Sequence, residues 1–139
     1  MVVLILEDDR SNLNVFSVVL SSHGFEVLQA TTDKEAIDLA KGRSHIDLFV
    51  CDVGLGASSG TNVALQLRRV HANAPVLFVS GKPMYAWEKR DMNNYLRLPV
   101  DLVDYLEKPF RPSALLAKAH QLLEKRSQRL PGRTASDAS

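Results

Sequence analysis

Short apolar runs alternate along the chain with longer segments in which apolar residues recur every three or four positions. Short runs rich in β-branched residues predict buried strands, and the longer period predicts amphipathic helices. We predict strands at 2–6, 25–28, 48–51, 75–79 and 102–106. We predict helices at 9–23, 32–42, 61–70 and about 84–95, and a last helix from 112 onward.

Capping residues support the predicted helix boundaries. Thr32 and Glu35 have the spacing of a capping box, in which two side chains satisfy free amides of the first turn. Gly24 and Gly42 follow helical patterns at positions where glycine commonly ends a helix. Pro112 suits the first turn of the last helix, because its missing amide hydrogen is not needed there.

The alternation of strand and helix predicts an α/β fold. Such a chain forms a parallel sheet that is covered on both faces by helices and joined by right-handed crossovers. A length of 139 residues and a hydrophobic content of 45% fit one domain with a sizeable core. We place this domain at 1–126 and expect the polar, aperiodic residues 127–139 to form a disordered tail.

Charged side chains follow three of the predicted strands. Glu7 and Asp8 follow the first, Asp52 ends the third and Lys108 follows the fifth. The carboxyl ends of parallel strands meet at one edge of the sheet, where α/β proteins bind ligands. Three carboxylates this close would repel one another unless a cation neutralised them, and a few hard oxygen ligands suit Mg²⁺. The sequence therefore predicts a divalent cation and a phosphoryl group at this edge.

Two further features belong to the same predicted edge. Small residues fill the loop at 54–60, which would leave Asp52 open to a phosphoryl donor, although they are also compatible with a simple tight turn. Ser80 ends the fourth strand, and its hydroxyl could donate to a phosphoryl oxygen or act as a helix cap. Cys51 is expected to be an apolar filler of the core.

The overall charge and the cysteine content exclude several classes of function. A formal net charge of +1 provides no field that would attract nucleic acid or a membrane, and we expect no direct binding to either. With the single cysteine Cys51, no intrachain disulfide can form, which favours a reducing, cytoplasmic location. The N-terminal apolar run follows no basic region and meets acids at Glu7, so we expect neither a signal peptide nor a membrane anchor.

In this order and spacing, the motifs resemble the response-regulator receiver domains of two-component signalling, over residues 2 to about 126. The resemblance implies a flavodoxin-like (βα)5 fold with a doubly wound, five-stranded parallel sheet of strand order 2-1-3-4-5. Its marks are acids after the first strand, an aspartate after the third with a glycine beyond it, a hydroxyl after the fourth and a lysine after the fifth: Glu7-Asp8-Asp9, Asp52, Gly60, Ser80 and Lys108-Pro109-Phe110.

The resemblance implies roles for the acids. Asp52 would accept a phosphoryl group from a histidine kinase or a phosphotransfer protein. Asp8, Asp52 and the backbone carbonyl of Gly54 would hold Mg²⁺ or Mn²⁺, and Glu7 would act mainly through metal-bound water. The protein would then be no conventional enzyme, but one that phosphorylates and dephosphorylates itself at Asp52.

The resemblance also implies roles near the last two strands. Ser80 and Lys108 would bind phosphoryl oxygens, and Tyr105 falls where the family has an aromatic switch residue. The Lys108–Pro109 peptide bond is expected to be cis, which would aim the lysine at Asp52.

Three departures from the family pattern affect the loops. This chain has Leu55 and Gly56 where the family usually has Met-Pro, so we expect a more mobile loop there. Gly54 offers no side chain where the family often has one near the phosphoryl group. The interval from Ser80 to Lys108 is longer than is usual, so we expect an atypical fourth helix.

Large apolar side chains are concentrated around that fourth helix. Aromatic residues and methionine are enriched in protein interfaces. We therefore predict that 84–95 and Tyr105 form a surface that binds a downstream protein and responds to phosphorylation. The alternative is that Trp87 and Met92 only cover the sheet. The residues concerned are Met84, Tyr85, Trp87, Met92 and Tyr95.

Two rival functions remain to be compared with the receiver. A receiver-like module could bind partners without phosphorylation, but such a module would be expected to lose some of the site residues. A flavodoxin-like nucleotide or flavin binder should have a first loop that cradles phosphate. The loop here begins Glu7-Asp8-Asp9-Arg10, which would repel phosphate.

Overall fold

The computed structural model describes residues 1–56 and 58–129. Strands and helices alternate along this part of the chain as the apolar pattern predicts. The elements are β1 (Val2–Leu6), α1 (Arg10–Ser21), β2 (Glu26–Ala30), α2 (Asp33–Gly42), β3 (Leu48–Asp52), α3 (Gly60–Val70), β4 (Val76–Ser80), a 3-10 helix (Met84–Ala86), α4 (Lys89–Leu96), β5 (Val103–Glu107) and α5 (Pro112–Arg129).

The five strands form one parallel sheet in the order β2-β1-β3-β4-β5, which confirms the predicted fold. All residues of β3 and β4 are buried, because helices cover both faces of the sheet. The chain winds outward in opposite directions from β1 and β3. Their carboxyl ends therefore border the crevice in which proteins of this architecture bind ligands.

Two apolar clusters, one on each face of the sheet, make up the core. Successive residues of β1 point to opposite faces: Leu4 and Leu6 join the cluster that includes α2 and α3, whereas Val3 and Ile5 join the cluster that includes α1 and α5. This two-sided burial explains why the strands are continuous apolar runs in the sequence instead of alternating ones.

The predicted capping residues act largely as expected. The amide of Glu35 donates to Thr32 Oγ1 at 3.2 Å, and Glu35 Oε1 accepts hydrogen bonds from the amide and hydroxyl of Thr31 at 3.0 and 2.7 Å. Gly24 follows α1 with a φ of +89°, a conformation that favours glycine. These local contacts determine where α2 begins and where α1 ends.

The prediction of one continuous helix over 84–95 is wrong. The 3-10 helix ends at Ala86, Trp87 and Glu88 are extended with ψ near 150°, and α4 begins only at Lys89. This break lets the Trp87 indole pack edge-on against Phe78 of β4, with ring centroids 6.2 Å apart. The local sequence gives no indication of this long-range aromatic contact, which is why a continuous helix is expected from sequence alone.

The last helix continues past the boundary proposed from sequence. Residues 127–129, assigned there to the tail, are the final residues of α5. Residues 130–139, the rest of the predicted tail, lie outside the described residues. Within the described ranges, no helix combines the length and the apolar character needed to cross a membrane.

Candidate functional site

Three carboxylates meet where β1 and β3 end. The parallel register pairs Leu6 with Cys51, so the residues that follow, Glu7 and Asp52, become neighbours. Oxygen atoms of Glu7, Asp8 and Asp52 all lie within 4.8 Å of one another. Glu7 is fully buried and Asp52 almost so, whereas Asp8 is exposed. The structure thus brings together the acids that the sequence proposed as metal ligands.

Lys108 reaches this acid cluster from the end of β5. Its Nζ lies 2.9 Å from Glu7 Oε1 and 3.4 Å from Asp52 Oδ2. The one ammonium group thus contacts two of the three carboxyl groups of the cluster, so acidic groups outnumber basic ones here.

The turn after β5 fixes the direction of this lysine. The amide of Lys108 donates to the Ser80 carbonyl at 2.7 Å, and the Lys108–Pro109 peptide bond is cis, as predicted. The ring of Phe110 stacks on Phe16 of α1 with a centroid separation of 5.2 Å. The Lys-Pro-Phe motif is therefore held to the sheet on one side and to α1 on the other.

Burial and charge shift the pKa values of two of these groups. Burial raises the pKa of Glu7 to about 7; the neighbouring Asp52 adds to this effect, and the hydrogen bond from Lys108 opposes it. Burial would lower the pKa of Lys108, but the hydrogen bond to Glu7 and the negative charge of Asp52 outweigh it and raise the pKa. Lys108 is therefore a cation at neutral pH and is available to bind an anionic group.

Backbone amides of the loop after β3 orient the two more accessible carboxylates. The amide of Gly54 donates to Asp52 Oδ1 at 3.1 Å, and the amide of Gly56 donates to Asp8 Oδ2 at 3.2 Å. An added Cβ at Gly54 would meet nothing within 4 Å, so this position borders open space. The loop approaches the acids with its backbone, as its small residues suggested.

The first residue of α3 packs directly on the end of β3. A Cβ added to Gly60 would lie 1.7 Å from the carbonyl oxygen of Asp52 and 2.7 Å from its carbonyl carbon. Glycine is thus required here by close backbone approach, not by an unusual φ. The sequence identified this glycine as part of the small-residue loop and through its position in the family pattern, but not through this close packing.

A cleft of about 370 Å³ opens beside Asp52. Ser80 and Lys108 line it near Asp52, and Trp87 and Arg90 line it as well. The Ser80 hydroxyl oxygen accepts a hydrogen bond from the amide of Lys82 at 3.0 Å, which leaves its proton available for donation. The two residues expected to bind phosphoryl oxygens therefore border the same cavity as Asp52.

Aromatic rings connect this cleft to Tyr105 of β5. The Trp87 ring lies 6.1 Å from that of Tyr105, and the Tyr95 ring lies 6.2 Å from the same residue. Tyr105 is 38% exposed and Tyr85 is 90% exposed. Trp87 therefore covers the sheet, as the alternative interpretation expected, and it also contacts the expected switch residue.

A second polar group of side chains near the cleft was not identified from the sequence. Asp91 of α4 accepts hydrogen bonds from the hydroxyls of Ser59 and Thr61 at 2.5 and 2.6 Å. Asn94 donates to Thr61 Oγ1 at 3.1 Å and to Asn62 Oδ1 at 2.6 Å. We call these five residues the α3–α4 polar cluster. The one sequence signal was the helical i, i+3 spacing of Asp91 and Asn94, which gives no indication of their partners about 30 residues away.

Comparison with known proteins identifies the family. The family model described as response regulator receiver domain matches residues 3–120. The chain belongs to the response regulator receiver family. A curated relative of this receiver domain is the cell cycle transcriptional regulator CtrA of Caulobacter vibrioides, 28% identical over 123 residues, which are 88% of this chain and 50% of CtrA. The chain spans about half the length of the curated relatives it matches.

Solved structures agree with this receiver fold. A response regulator receiver protein from Sinorhizobium medicae WSM419 superposes with a TM-score of 0.77 at 28% identity, over 91% of this chain and 96% of that one. A CheY-like receiver domain protein from Methanospirillum hungatei JF-1 superposes with a TM-score of 0.80, over 93% of this chain and 98% of that one. The latter shares 22% sequence identity and supports the fold alone.

Proposed function

We propose that this receiver domain accepts a phosphoryl group on Asp52 from a phosphohistidine of a histidine kinase or phosphotransfer protein. The observation that supports this best is the position of Asp52. It belongs to the acid cluster, lies 3.4 Å from Lys108 Nζ and is the member of that cluster that lines the open cleft. Glu7 is enclosed, and Asp8 lies outside the cleft lining.

The proposed step is a covalent transfer to a carboxylate. An Asp52 oxygen attacks phosphorus and forms a P–O bond, while the P–N bond of the donor breaks; its electron pair stays on the imidazole nitrogen, which takes up a proton. Lys108 offsets negative charge on the transferring group, and the Ser80 hydroxyl donates to one of its oxygens. Hydrolysis of the acyl phosphate returns the carboxylate, so the domain phosphorylates and dephosphorylates itself.

The acid cluster fits a divalent cation. Carboxylate oxygens from three residues within 4.8 Å are the hard ligands that Mg²⁺ and Mn²⁺ prefer. We assign Asp8, Asp52 and the carbonyl of Gly54 as direct ligands and Glu7 as a residue that acts through bound water. When bound, the cation would neutralise charge on the phosphoryl oxygens.

Intact-mass spectrometry tests the phosphoacceptor. After treatment with acetyl phosphate and Mg²⁺, the wild-type chain should gain the mass of one phosphoryl group, and Asp52→Asn should not. Asp38→Asn, the same change on the exposed surface of α2, serves as the control and should be phosphorylated like wild type. An adduct on Asp52→Asn at the wild-type level would refute the assignment.

We further propose that phosphorylation changes the surface formed by 84–95 and Tyr105, and that a downstream protein binds there. Trp87, the single tryptophan, lines the cleft and contacts Tyr105, so its emission should change when beryllofluoride and Mg²⁺ are added. A phosphorylation-independent binding module would bind no beryllofluoride, and its emission would stay constant.

The buried Cys51 suits the reducing cytoplasm, where we expect the protein to act.

A further inference from the structure

The contact between α3 and α4 is unusual because the side chains that α4 buries are polar. α4 has eight residues, and its buried residues are Asp91 and Asn94. A helix this short is marginal by itself and normally depends on an apolar face that packs against the core. Here the half-buried ring of Tyr95 packs against Phe78 at a centroid distance of 5.9 Å, and the two buried side chains of α4 make hydrogen bonds.

These hydrogen bonds end on the segment that touches the phosphoacceptor. Ser59 and Thr61, which bind Asp91, flank Gly60, the residue that packs on the Asp52 carbonyl. The amide of Gly60 also donates to the carbonyl of Val53 at 3.2 Å. The α3–α4 polar cluster therefore attaches α4 to backbone in direct contact with the end of β3.

The centre of this cluster is a buried carboxylate in the phosphorylation cleft. Asp91 lines the same cavity as Asp52 and is 6% exposed. Arg90 Nε lies 3.5 Å from Asp91 Oδ1, but the Arg90 side chain is 54% exposed and also reaches Glu88 at 3.3 Å. The buried charge of Asp91 thus has an ion-pair partner that is solvated and shared.

A phosphoryl group on Asp52 would weaken this arrangement in two ways. It adds negative charge to a cleft that already holds the Asp91 carboxylate, and like charges repel more strongly when partly buried. It also offers oxygen acceptors to Arg90, whose guanidinium binds phosphoryl oxygens well. The repulsion and the loss of Arg90 both destabilise the negative charge of Asp91, which accepts the hydrogen bonds of Ser59 and Thr61.

We propose that Asp91 senses the charge of the phosphorylated site and releases α4 from α3. The inference rests on the proposed phosphorylation of Asp52, and it assigns the release of α4 to the charge of Asp91. Because it acts through charge, it predicts different results for two substitutions of the same residue. Asp91→Asn keeps an oxygen acceptor but loses the charge, whereas Asp91→Ala loses both.

Hydrogen exchange of the full chain, with and without beryllofluoride and Mg²⁺, measures this release, and fluorine NMR reports the adduct. In wild type, exchange of the α4 amides should rise on the order of tenfold when the adduct forms, the effect of weakening a hydrogen bond to a charged group. Asp91→Asn should protect α4 in both states and show less than about a twofold rise. Asp91→Ala should exchange rapidly in both states, and Asp38→Asn should behave as wild type.

The outcomes separate this inference from the proposed function. A tenfold rise in Asp91→Asn, or no rise in wild type despite a visible adduct, would overturn the role of Asp91 and leave phosphorylation of Asp52 standing. Absence of the adduct in wild type would overturn both. Asp91→Asn decides the matter even if Asp91→Ala does not fold, because the asparagine can still accept hydrogen bonds from both hydroxyls.

Discussion

Gly60 has no room for a side chain, because an added Cβ would stand 1.7 Å from the carbonyl oxygen of Asp52. We expect Gly60→Ala to lower the free energy of unfolding by about 3 kcal/mol, the upper end of the usual cost of overpacking. Gly54→Ala is the matched control, since its Cβ would meet nothing within 4 Å, and it should change stability by less than about 0.5 kcal/mol. Urea denaturation measures both, and equal stabilities would contradict the packing argument.

The acids of the site should differ in their importance for Mg²⁺ binding. Lys108 already engages Glu7 at 2.9 Å, whereas Asp8 is exposed and held by the Gly56 amide. We therefore expect Asp8→Asn to lose more Mg²⁺ affinity than Glu7→Gln, whose loss should be on the order of tenfold, as for a residue that acts through another ligand. Titration of Mg²⁺ followed by Trp87 fluorescence measures the ranking, and equal losses would contradict it.

Among the elements, α5 is joined by one buried carboxylate to the end of the sheet opposite the acid cluster, where β1 and β3 begin. Asp47 accepts hydrogen bonds from Arg126 Nη1 and from the amide of Val2, both at 2.7 Å, and lies 2.6 Å from His45 Nε2. Burial would raise the pKa of Asp47, but the Val2 amide, Arg126 and His45 outweigh it and lower the pKa. The ionised carboxylate therefore stabilises the fold above its usual pKa, and this contribution is lost as the pH falls through the lowered value.

Replacing Asp47 should reveal this contribution and its pH dependence. At pH 7, Asp47→Asn should lower the free energy of unfolding by about 3 kcal/mol, because Arg126 loses its buried partner. The difference from wild type should begin to shrink as the pH falls below the usual carboxyl pKa of about 4, and it should disappear only below the lowered pKa of the folded state, where the wild-type carboxylate is also neutral. Asp38→Asn, which removes an exposed charge, should change stability much less. A pH-independent difference would contradict the assignment to Asp47 ionisation.

Elements with a regular apolar pattern were predictable, and those defined by distant polar or aromatic partners were not. β3 and β4 are enclosed on both sides, so their sequences are plain apolar runs, and the acids at strand ends had to share one edge. The break before α4 depends on Trp87 meeting Phe78, and the burial of Asp91 depends on hydroxyls in α3. Neither contact leaves a periodic pattern in the sequence.

For the whole molecule, binding at the site should be measurable as stability. Beryllofluoride with Mg²⁺ should bind the folded site and not the unfolded chain, so it should raise the midpoint of thermal unfolding. At a hundredfold excess over the dissociation constant, the gain should be about 2.7 kcal/mol. Asp52→Asn should lose the part that depends on beryllofluoride. An equal rise in Asp52→Asn would place the binding elsewhere on the molecule.

The hydrogen bonds of Asp47 also bring the first strand and the last helix together, since Val2 and Arg126 both bind this one side chain. The start of β1 and the last turns of α5 therefore lie side by side, at the end of the sheet opposite Asp52. A unit with neighbouring ends can be spliced into a surface loop of a host protein at one point, or closed by a short linker and reopened elsewhere as a circular permutant. In either form, the cleft beside Asp52 would face away from the junction.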